Sequence, residues 1–447
     1  MNYTMLYQAI YKELGDRCTY DPKMAARVEL WRKMYEGKAP WNGERMLSAG
    51  VASGVAAEVA KLMTIEARAT LEGSKLLEAQ LTGRVLPRMR NFSEYGLAKG
   101  SLIIKPIVSN EGMSTQFIQA DKFFPIGYDS NKDITSCVLV DQVRKGKYIY
   151  TRFEIHTING KLLTVENRAY KSSDDGLLGA RCALADVEQW EGLAEEKSFT
   201  GIDKLPFGLF RCPLANRFGD SPLGASVFSR AVEHIKEADK RYSDICWEYE
   251  AKQAAIHVAE SMLKYDKAND KFIMPDGSDR LYRALQYNNG ATDKPLIEIY
   301  SPEIRSSAYF DGFNAQLRLI EFDCSLAYGT ISDPNTVDKT ATEIEASKQR
   351  SYTLISDCQA AMETALRDWA DGALFWARLY GLERSSSVDL KVDWGDSILA
   401  NPQAEREEDR KDVSMGVMRL EEYRAKWYGE DIETAASNLP DTAQVID

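Results

Sequence analysis

The feature that most constrains the fold is a pair of amphipathic helical patterns, separated by a strand-rich insert and followed by a much longer third pattern. The first pattern, residues 216–254, begins at Asp220-Ser221-Pro222, where Ser221 can cap backbone N–H groups and Pro222 suits the first helical position. Apolar side chains then recur at spacings of three and four residues, which places them on one helix face. They are Val227, Ala231, Ile235, Ala238, Tyr242, Ile245 and Tyr249.

The second helical pattern covers residues 301–328 and begins with Ser301-Pro302-Glu303, a similar start signal. Its apolar face is formed by Phe310, Phe313, Leu317, Ile320, Cys324 and Ala327. Between the two patterns, residues 255–300 contain short β-branched and aromatic runs separated by the turn signals Asp276-Gly277 and Asn289-Gly290. These patterns predict two packed helices that carry a small strand-rich tip.

A polar connector, residues 329–340, leads into the third pattern, residues 341–382. Thr340-Ala341-Thr342-Glu343 has the form of a capping box, and Gly381 is a helix stop signal. The predicted helix has a length of about 60 Å at the standard rise per residue. Because average helices are less than a third as long, this pattern indicates an extended architectural element and not a compact catalytic domain.

The flanking regions predict a mixture of helices and antiparallel strands. Helical patterns cover residues 3–14, 22–37, 43–71 and 74–95, and a period of two residues predicts an antiparallel sheet of five or six strands over 101–170. Asn159-Gly160 predicts a hairpin within that sheet, and residues 172–202 are predicted to be a loop. A strand over 389–393 precedes helices that begin at Pro402 and Val417. The predicted fold class is α+β.

Composition excludes several function classes. The net charge of −12 argues against a protein that grips nucleic acid, because phosphate binding requires a surplus of Lys and Arg. The chain therefore either does not meet DNA or meets it without holding it. Residues 46–63, the most apolar window, are interrupted by charged residues and predict no membrane span, and the N-terminus has no signal-peptide pattern. Seven scattered cysteines are expected to be reduced and mostly buried.

No catalytic or cofactor motif is present in the sequence. The three histidines, His156, His234 and His257, have no metal-ligand spacing, and no phosphate-binding loop of the P-loop type occurs. Each histidine is more simply a structural or exposed residue. We therefore expect no enzymatic activity, no cofactor and no metal.

The order of the elements carries a resemblance to a known family. Helix, strand-rich tip, helix, polar loop and long helix follow an N-terminal helical and β-rich region, and Phe218-Gly219-Asp220-Ser221-Pro222 leads into the first helix. In this order the chain resembles the portal proteins of tailed bacteriophages, especially the SPP1-like and A118-like portals of phages that infect Gram-positive bacteria. The resemblance covers most of the chain.

The resemblance implies an α+β portal fold with several named parts. They are a helical and antiparallel β wing (1–215), a stem of two helices (216–254 and 301–328), a small α/β clip (255–300), a tunnel loop (329–340), a long wing helix (341–382), and a C-terminal wing strand with crown helices (383–447). The implied function is a homo-oligomeric ring, usually a dodecamer, at a unique capsid vertex of the virion. Assembly would take place in the host cytoplasm.

The implied partners follow from that role. Double-stranded DNA would pass through the channel during packaging and ejection. The ring would dock the terminase large subunit, then head-completion connector proteins, and would contact capsid and scaffolding proteins but no membrane.

The resemblance also implies three groups of site residues. The DNA-proximal residues of the tunnel loop would be Asp333, Asn335, Thr336, Asp338 and Lys339. The stem contacts between subunits would include Lys236, Lys240 and Arg241, and the partner surface of the clip would include Lys271, Arg280 and Arg283.

The residues alone leave simpler alternatives open. Residues 329–340 could be an ordinary connector, and the two helices could be an intramolecular pair with a solvated outer face. The competing functional hypotheses are a non-ring helical scaffolding or adaptor protein of a virion and an enzyme with an unrecognised site.

Overall fold

The computed structural model describes residues 1–19, 21–109, 111–252, 306–333, 341–395 and 402–439, together with five short strands between residues 255 and 300. For those strands and for residues 341–347 and 402–405 it describes the backbone alone. Helices and mainly antiparallel strands are mixed along these ranges. The chain therefore has the predicted α+β fold.

The chain begins with three helices, α1 (Tyr3–Leu14), α2 (Pro22–Tyr35) and α3 (Val51–Thr64). The Asp21 carboxylate caps α2 by accepting hydrogen bonds from the N–H groups of Lys23 and Met24, as its position before a proline predicts. Apolar faces of all three helices, including the fully buried Trp31, belong to the main core.

The predicted helix over residues 43–71 is wrong at both ends, because residues 43–50 are not helical and the C-terminal end forms strand β1 (Arg68–Glu72). This strand pairs antiparallel with residues 389–393, and its alternate residues Ala69 and Leu71 are buried. A strand of five residues depends on its distant partner, which local spacing does not reveal.

One continuous helical stretch follows, made of α4 (Lys75–Gln80), a π turn (Leu81–Val85) and α5 (Leu86–Lys99). The Ser74 side chain caps it by accepting a hydrogen bond from the Leu77 N–H group. Gly100, with φ of 89°, follows its last residue. The stretch extends four residues beyond the predicted end because Gly100, not Tyr95, provides the left-handed stop.

The strands after α5 form two sheets and not the single predicted sheet. Their bounds are β2 (Ser101–Ser109), β3 (Gly112–Gln119), β4 (Phe123–Tyr128), β5 (Ile134–Lys145), β6 (Tyr148–Asn159), β7 (Leu162–Ser172), β8 (Ala180–Cys182), β9 (Glu196–Thr200) and β10 (Gly208–Arg211). The larger sheet has the order β4-β5-β6-β7-β8, with β9 also paired to β7, and the smaller sheet has the order β10-β2-β3. The region predicted to be a loop, residues 172–202, therefore contains β8 and β9. A period of two residues predicts a strand but does not specify its partner.

The long predicted helix is present as α8 (Ala341–Leu379), 39 residues in length. It packs against the smaller sheet, where a Cβ atom at Gly208 would overlap the carbonyl oxygen of Ala365. Glycine at this position therefore allows the strand backbone to approach the helix closely. Trp369, on the same part of α8, is fully buried.

The first predicted stem helix begins later than its sequence signals suggest. Residues 216–231 are not α-helical, and α6 covers Val232–Ala251. The N–H group of Gly224 donates to Ser101 Oγ (3.0 Å), and that of Val227 donates to the carbonyl oxygen of Leu97 (2.9 Å). These long-range hydrogen bonds replace helical ones, so the preceding segment forms a buried strap, and the Ser221-Pro222 start signal is overridden.

The insert between the two stem helices contains strands β11 (Ala255–Ala259), β12 (Lys264–Asp266), β13 (Lys271–Ile273), β14 (Tyr282–Leu285) and β15 (Ile297–Tyr300). One sheet has the order β14-β11-β15, in which β11 is parallel to β14 and antiparallel to β15. Strands β12 and β13 form a separate antiparallel pair. The insert is therefore strand-rich, as its short β-branched and aromatic runs predict.

The second stem helix is α7 (Ser306–Asp323). The C-terminal part contains β16 (Asp389–Asp393), which pairs with β1, and the helices α9 (Pro402–Met415), α10 (Leu420–Tyr428) and α11 (Ile432–Ser437). Helix α10 begins three residues after the predicted Val417, because the Glu422 side chain and the Arg419 backbone form a capping box there. Along the described ranges, no helix is long and apolar enough to cross a membrane.

Candidate functional site

Helices α6 and α7 pack against each other, as their apolar stripes predict. The rings of Tyr242 and Phe313 lie 6.4 Å apart between their centroids, and Gln316 Nε2 donates to the His234 carbonyl oxygen (3.2 Å). Ile235 and Ile320 are buried, with exposed fractions of 2% and 0%. The pair is therefore stabilised both by apolar burial and by a polar contact.

A buried carboxylate fixes the chain where it leaves α7. Glu321 is fully buried, and its side-chain oxygens accept hydrogen bonds from the N–H groups of Gly329 (3.0 Å), Ile331 (2.7 Å) and Ser332 (2.9 Å). The Ser332 hydroxyl donates a further bond of 2.8 Å. Hydrogen bonds to a charged acceptor are stronger than neutral ones, so this cluster holds the first residues of the connector in one conformation. We call Glu321 and residues 329–332 the loop anchor.

Helix α7 ends in a Schellman motif just before the loop anchor. Ser325 has a left-handed φ of 57°, and the Leu326 N–H group donates to the Glu321 carbonyl oxygen (2.8 Å). Helix α8 supports this turn: Ser351 Oγ accepts from the Ala327 N–H group (2.6 Å), and Arg350 donates to the Phe322 carbonyl oxygen (2.8 Å). The connector therefore starts from a point fixed by both long helices.

The predicted tunnel-loop residues lie just beyond this anchor. Asp333 is exposed, and its N–H group donates to Asn314 Oδ1 on α7 (2.7 Å). Asn335, Thr336, Asp338 and Lys339 lie outside the described residues. Sequence reasoning did not identify Glu321, because a single glutamate next to the stripe residue Ile320 looks like an ordinary boundary residue of a helix.

The predicted stem cations occupy two different positions on α6. Lys236 and Lys240 are exposed, and neither has an ion-pair partner within the described ranges. Arg241 is also exposed, but its Nη1 atom lies 3.2 Å from the position of a Cβ atom on Gly312 of α7. Arg241 therefore packs within the helix pair, whereas the two lysines face away from it. Trp247, whose side chain lies on the lysine side of α6, is 65% exposed.

The outward face of α7 is apolar. Its residues, at spacings of three, four and seven, are Ala308, Ala315, Leu319 and Phe322, all of them exposed. Leu319 and Phe322 have exposed fractions of 47% and 55%, and Asp311 is an exposed carboxylate in the same stripe. We call these five residues the α7 outer stripe. Single exposed apolar residues are common, whereas these are aligned on one helix face, and the Arg350 guanidinium carbon lies 4.6 Å from the Phe322 ring centroid.

Two of the three predicted clip cations lie on strands of the insert. Lys271 lies on β13 and Arg283 lies on β14, where it pairs with His257 of β11. Arg280 lies outside the described residues.

A buried cluster of charged side chains lies between β2 of the smaller sheet and β6 of the larger sheet. Glu154 Oε1 contacts His156 Nε2 (2.7 Å) and the Lys105 amine, and Glu154 Oε2 contacts Arg152 (3.1 Å). Burial opposes ionisation of Glu154, but the Lys105 charge and the His156 hydrogen bond hold its pKa well below the usual value. Burial lowers the pKa of His156. The sequence prediction of a structural role for this histidine agrees with its position.

The described residues contain no group of three or more His, Cys, Asp or Glu side chains that could hold a metal ion. All seven cysteines are free thiols, and five are buried. Burial raises the pKa of Cys18 to about 11. The five buried thiols pack as small apolar side chains.

The model of the family described as "Phage portal protein, SPP1 Gp6-like" matches residues 45–431. The curated proteins give no match. A solved structure described as "Neck of native GTA particle computed with C12 symmetry" is similar with 12% identity and a TM-score of 0.45, over 92% of this chain and 93% of that chain.

Proposed function

The chain belongs to the SPP1 Gp6-like family of phage portal proteins, and from this premise we propose that its copies form a ring at a unique capsid vertex. The ring, a dodecamer, is the channel through which double-stranded DNA is packaged and ejected, and it is the head-tail connector. It belongs to the virion and is assembled in the host cytoplasm. The observation that carries this proposal is the α7 outer stripe.

The ring requires an interface that joins two different surfaces of neighbouring copies, because only a heterologous contact closes into a cycle of identical subunits. Helix α7 offers an apolar surface, and the opposite side of the helix pair offers Lys236, Lys240 and Trp247 on α6. In our proposal the first surface of one copy packs on the second surface of the next. Neighbouring helix pairs in a ring run in the same direction, so the aliphatic stems of Lys236 and Lys240 cover Ala315 and Leu319 of the next copy, and Trp247 lies at the level of Ala308 and Asp311.

The loop anchor then directs residues 333–340 toward the channel. Asp333, Asn335, Thr336, Asp338 and Lys339 form the DNA-proximal tunnel loop in this proposal. With two aspartates and one lysine, such a loop repels the DNA backbone more than it binds it, so DNA can slide past. The support is the buried Glu321, since a connector without a positional role does not need a fixed starting point.

The strands of residues 255–300 form the clip, which docks the terminase large subunit and later the head-completion proteins through Lys271, Arg280 and Arg283. Residues 1–215 and α8 form the wing, and the helices after residue 402 form the crown. Scaffolding and capsid proteins contact the ring. The role is architectural and requires no catalysis, cofactor or metal.

The ring is tested by measuring the mass of the purified full-length chain and by imaging it in negative stain. We expect a ring with an axial hole, and we expect Leu319→Asp together with Phe322→Asp to abolish it. The matched control is Leu177→Asp with Leu193→Asp, two exposed leucines of the β region, which should leave the ring intact. A monomer or dimer at every concentration, with or without scaffolding protein, would contradict the ring and favour the non-ring scaffolding or adaptor protein.

A further inference from the structure

A groove between α2 and residues 217–219 concentrates positive charge on a protein of net charge −12. Its volume is about 700 Å³. The residues that line it are Lys23, Ala26, Arg27, Leu30, Arg217, Phe218 and Gly219. Four of them, at positions 23, 26, 27 and 30, follow the spacing of one helix face and form one wall, and the other three form the opposite wall. We call this surface the α2 groove.

The cations of the α2 groove are not neutralised by the protein. Lys23, Arg27 and Arg217 have no carboxylate partner within the described ranges, whereas Arg17 and Arg32 each pair with a glutamate. The Arg27 and Arg217 guanidinium carbons instead lie 4.6 and 5.2 Å from the centroid of the Phe218 ring. A guanidinium held on an aromatic face keeps its N–H donors free for a carboxylate.

Asp21 and Asp220, which adjoin the groove along the chain, are both engaged, Asp220 with the Lys132 amine. Asp21 accepts hydrogen bonds from the N–H groups of Lys23 and Met24 at the start of α2 and from that of Asp220 (3.1 Å). Those contacts tie the two walls together. Asp21 therefore does not compensate the groove cations through a side-chain pair.

The walls of the groove are held in place before any ligand arrives. The N–H group of Phe218 donates to Asn216 Oδ1 (3.0 Å), and Asn216 Nδ2 donates to the Leu223 carbonyl oxygen (3.0 Å). The Phe218 ring also packs edge-on against the buried Trp31, with centroids 5.6 Å apart. A ligand therefore does not have to order the site, which favours binding.

We propose that the α2 groove binds an acidic segment of a partner protein that carries an aromatic or aliphatic side chain between carboxylates. The carboxylates would take the N–H donors of Arg27 and Arg217, and the apolar side chain would cover Ala26, Leu30 and Phe218. A DNA duplex fits less well, because duplex binding uses many cations along an extended surface and this groove has three around an apolar floor. The site lies outside helices α6 and α7, the tunnel loop and the clip, so it goes beyond the proposed ring function.

The probe is a fluorescein-labelled peptide of sequence EEFEEL, and binding to the full-length protein is measured by fluorescence anisotropy. We expect saturable binding that weakens with added salt and that is absent for the uncharged peptide QQFQQL. Arg27→Gln and Arg217→Gln should each weaken binding by about tenfold, since each removes charge-assisted hydrogen bonds. Lys161→Gln, an exposed cation in the β6–β7 turn, is the control and should change nothing.

Several results would overturn the proposal. They are no saturable binding at about 1 mM peptide, equal binding of QQFQQL, unchanged affinity in both arginine variants, or equal affinity for a short DNA duplex. Circular dichroism checks that the variants fold. Because Lys23 is exposed, Lys23→Gln removes a groove cation with little effect on the fold. If the arginine variants change the oligomeric state while no oligomer binds peptide, the groove is a contact between copies and the proposal fails. Ring formation without peptide binding would contradict only this inference.

Discussion

Glu321 and Ser332 are joined by two hydrogen bonds, one from the serine N–H group (2.9 Å) and one from its hydroxyl (2.8 Å). The two residues are eleven positions apart, and both are buried, with exposed fractions of 0% and 5%. The pair links the last turn of α7 to the start of the connector. Through it, the end of a stem helix determines where the proposed tunnel loop begins.

Replacing Glu321 with alanine should destabilise the protein by about 3 kcal/mol. The substitution leaves the N–H groups of Ile331 and Ser332 without an acceptor, while that of Gly329 keeps only Ser332 Oγ (3.2 Å), and each unpaired group is costly. Glu321→Gln should cost less, because its amide oxygen can still accept some of these bonds. The measurement is the midpoint of guanidinium unfolding. Glu233→Ala, on the exposed side of α6, is the control and should shift the free energy by less than about 0.5 kcal/mol. Equal effects at both positions would contradict the anchor.

Deleting residues 333–338 should leave ring assembly intact and impair DNA packaging. The deletion begins after the last contact of the loop anchor at Ser332, so the Glu321 cluster is preserved. Assembly is checked by negative-stain imaging, and packaging by protection of DNA from nuclease in a packaging reaction. Normal packaging by the shortened ring would refute the tunnel-loop assignment, and loss of the ring would show that the loop is a subunit contact instead.

The parts of this fold that the sequence predicts are those set by local interactions. Helix α1, the Asp21 cap of α2 and the Asn159-Gly160 turn depend on residues a few positions apart, and the structure has each of them. Strand β1 and the strap before α6 are determined by partners more than a hundred residues away. The role of Glu321 as a hydrogen-bond acceptor is not evident from the sequence either, because it depends on how the connector folds back on α7. Local pattern thus predicts the helix before the connector but not the anchor that holds its first residues.

Acidification should destabilise the protein more in the wild type than in a His156→Gln variant. Burial lowers the pKa of His156 from its ordinary 6.5, so the folded state holds it neutral beside Glu154, Lys105 and Arg152. The unfolded chain then binds one more proton as pH falls below 6.5, and stability is lost by up to about 1.4 kcal/mol per pH unit. Glu154, whose pKa is lowered from 4.5, adds a loss only at lower pH. The free energy of unfolding at pH 7 and pH 5.5 is measured for both proteins. Equal slopes would exclude His156 as the source.

Reversing the charge of the two lysines on the outward face of α6, Lys236 and Lys240, should weaken ring assembly. Lys236 and Lys240 are exposed and unpaired within the described ranges, whereas Arg241 packs on Gly312 of its own chain. Lys236→Glu with Lys240→Glu would remove the aliphatic stems that cover Ala315 and Leu319 of the next copy and place carboxylates against them, so fewer rings should form. Lys147→Glu with Lys161→Glu makes the same charge change on the β region and is the control. Assembly is measured as the mass distribution against ionic strength. If both pairs reduce assembly equally, net charge and not the proposed stem contact is responsible, and if neither does, the two lysines do not face a neighbouring subunit.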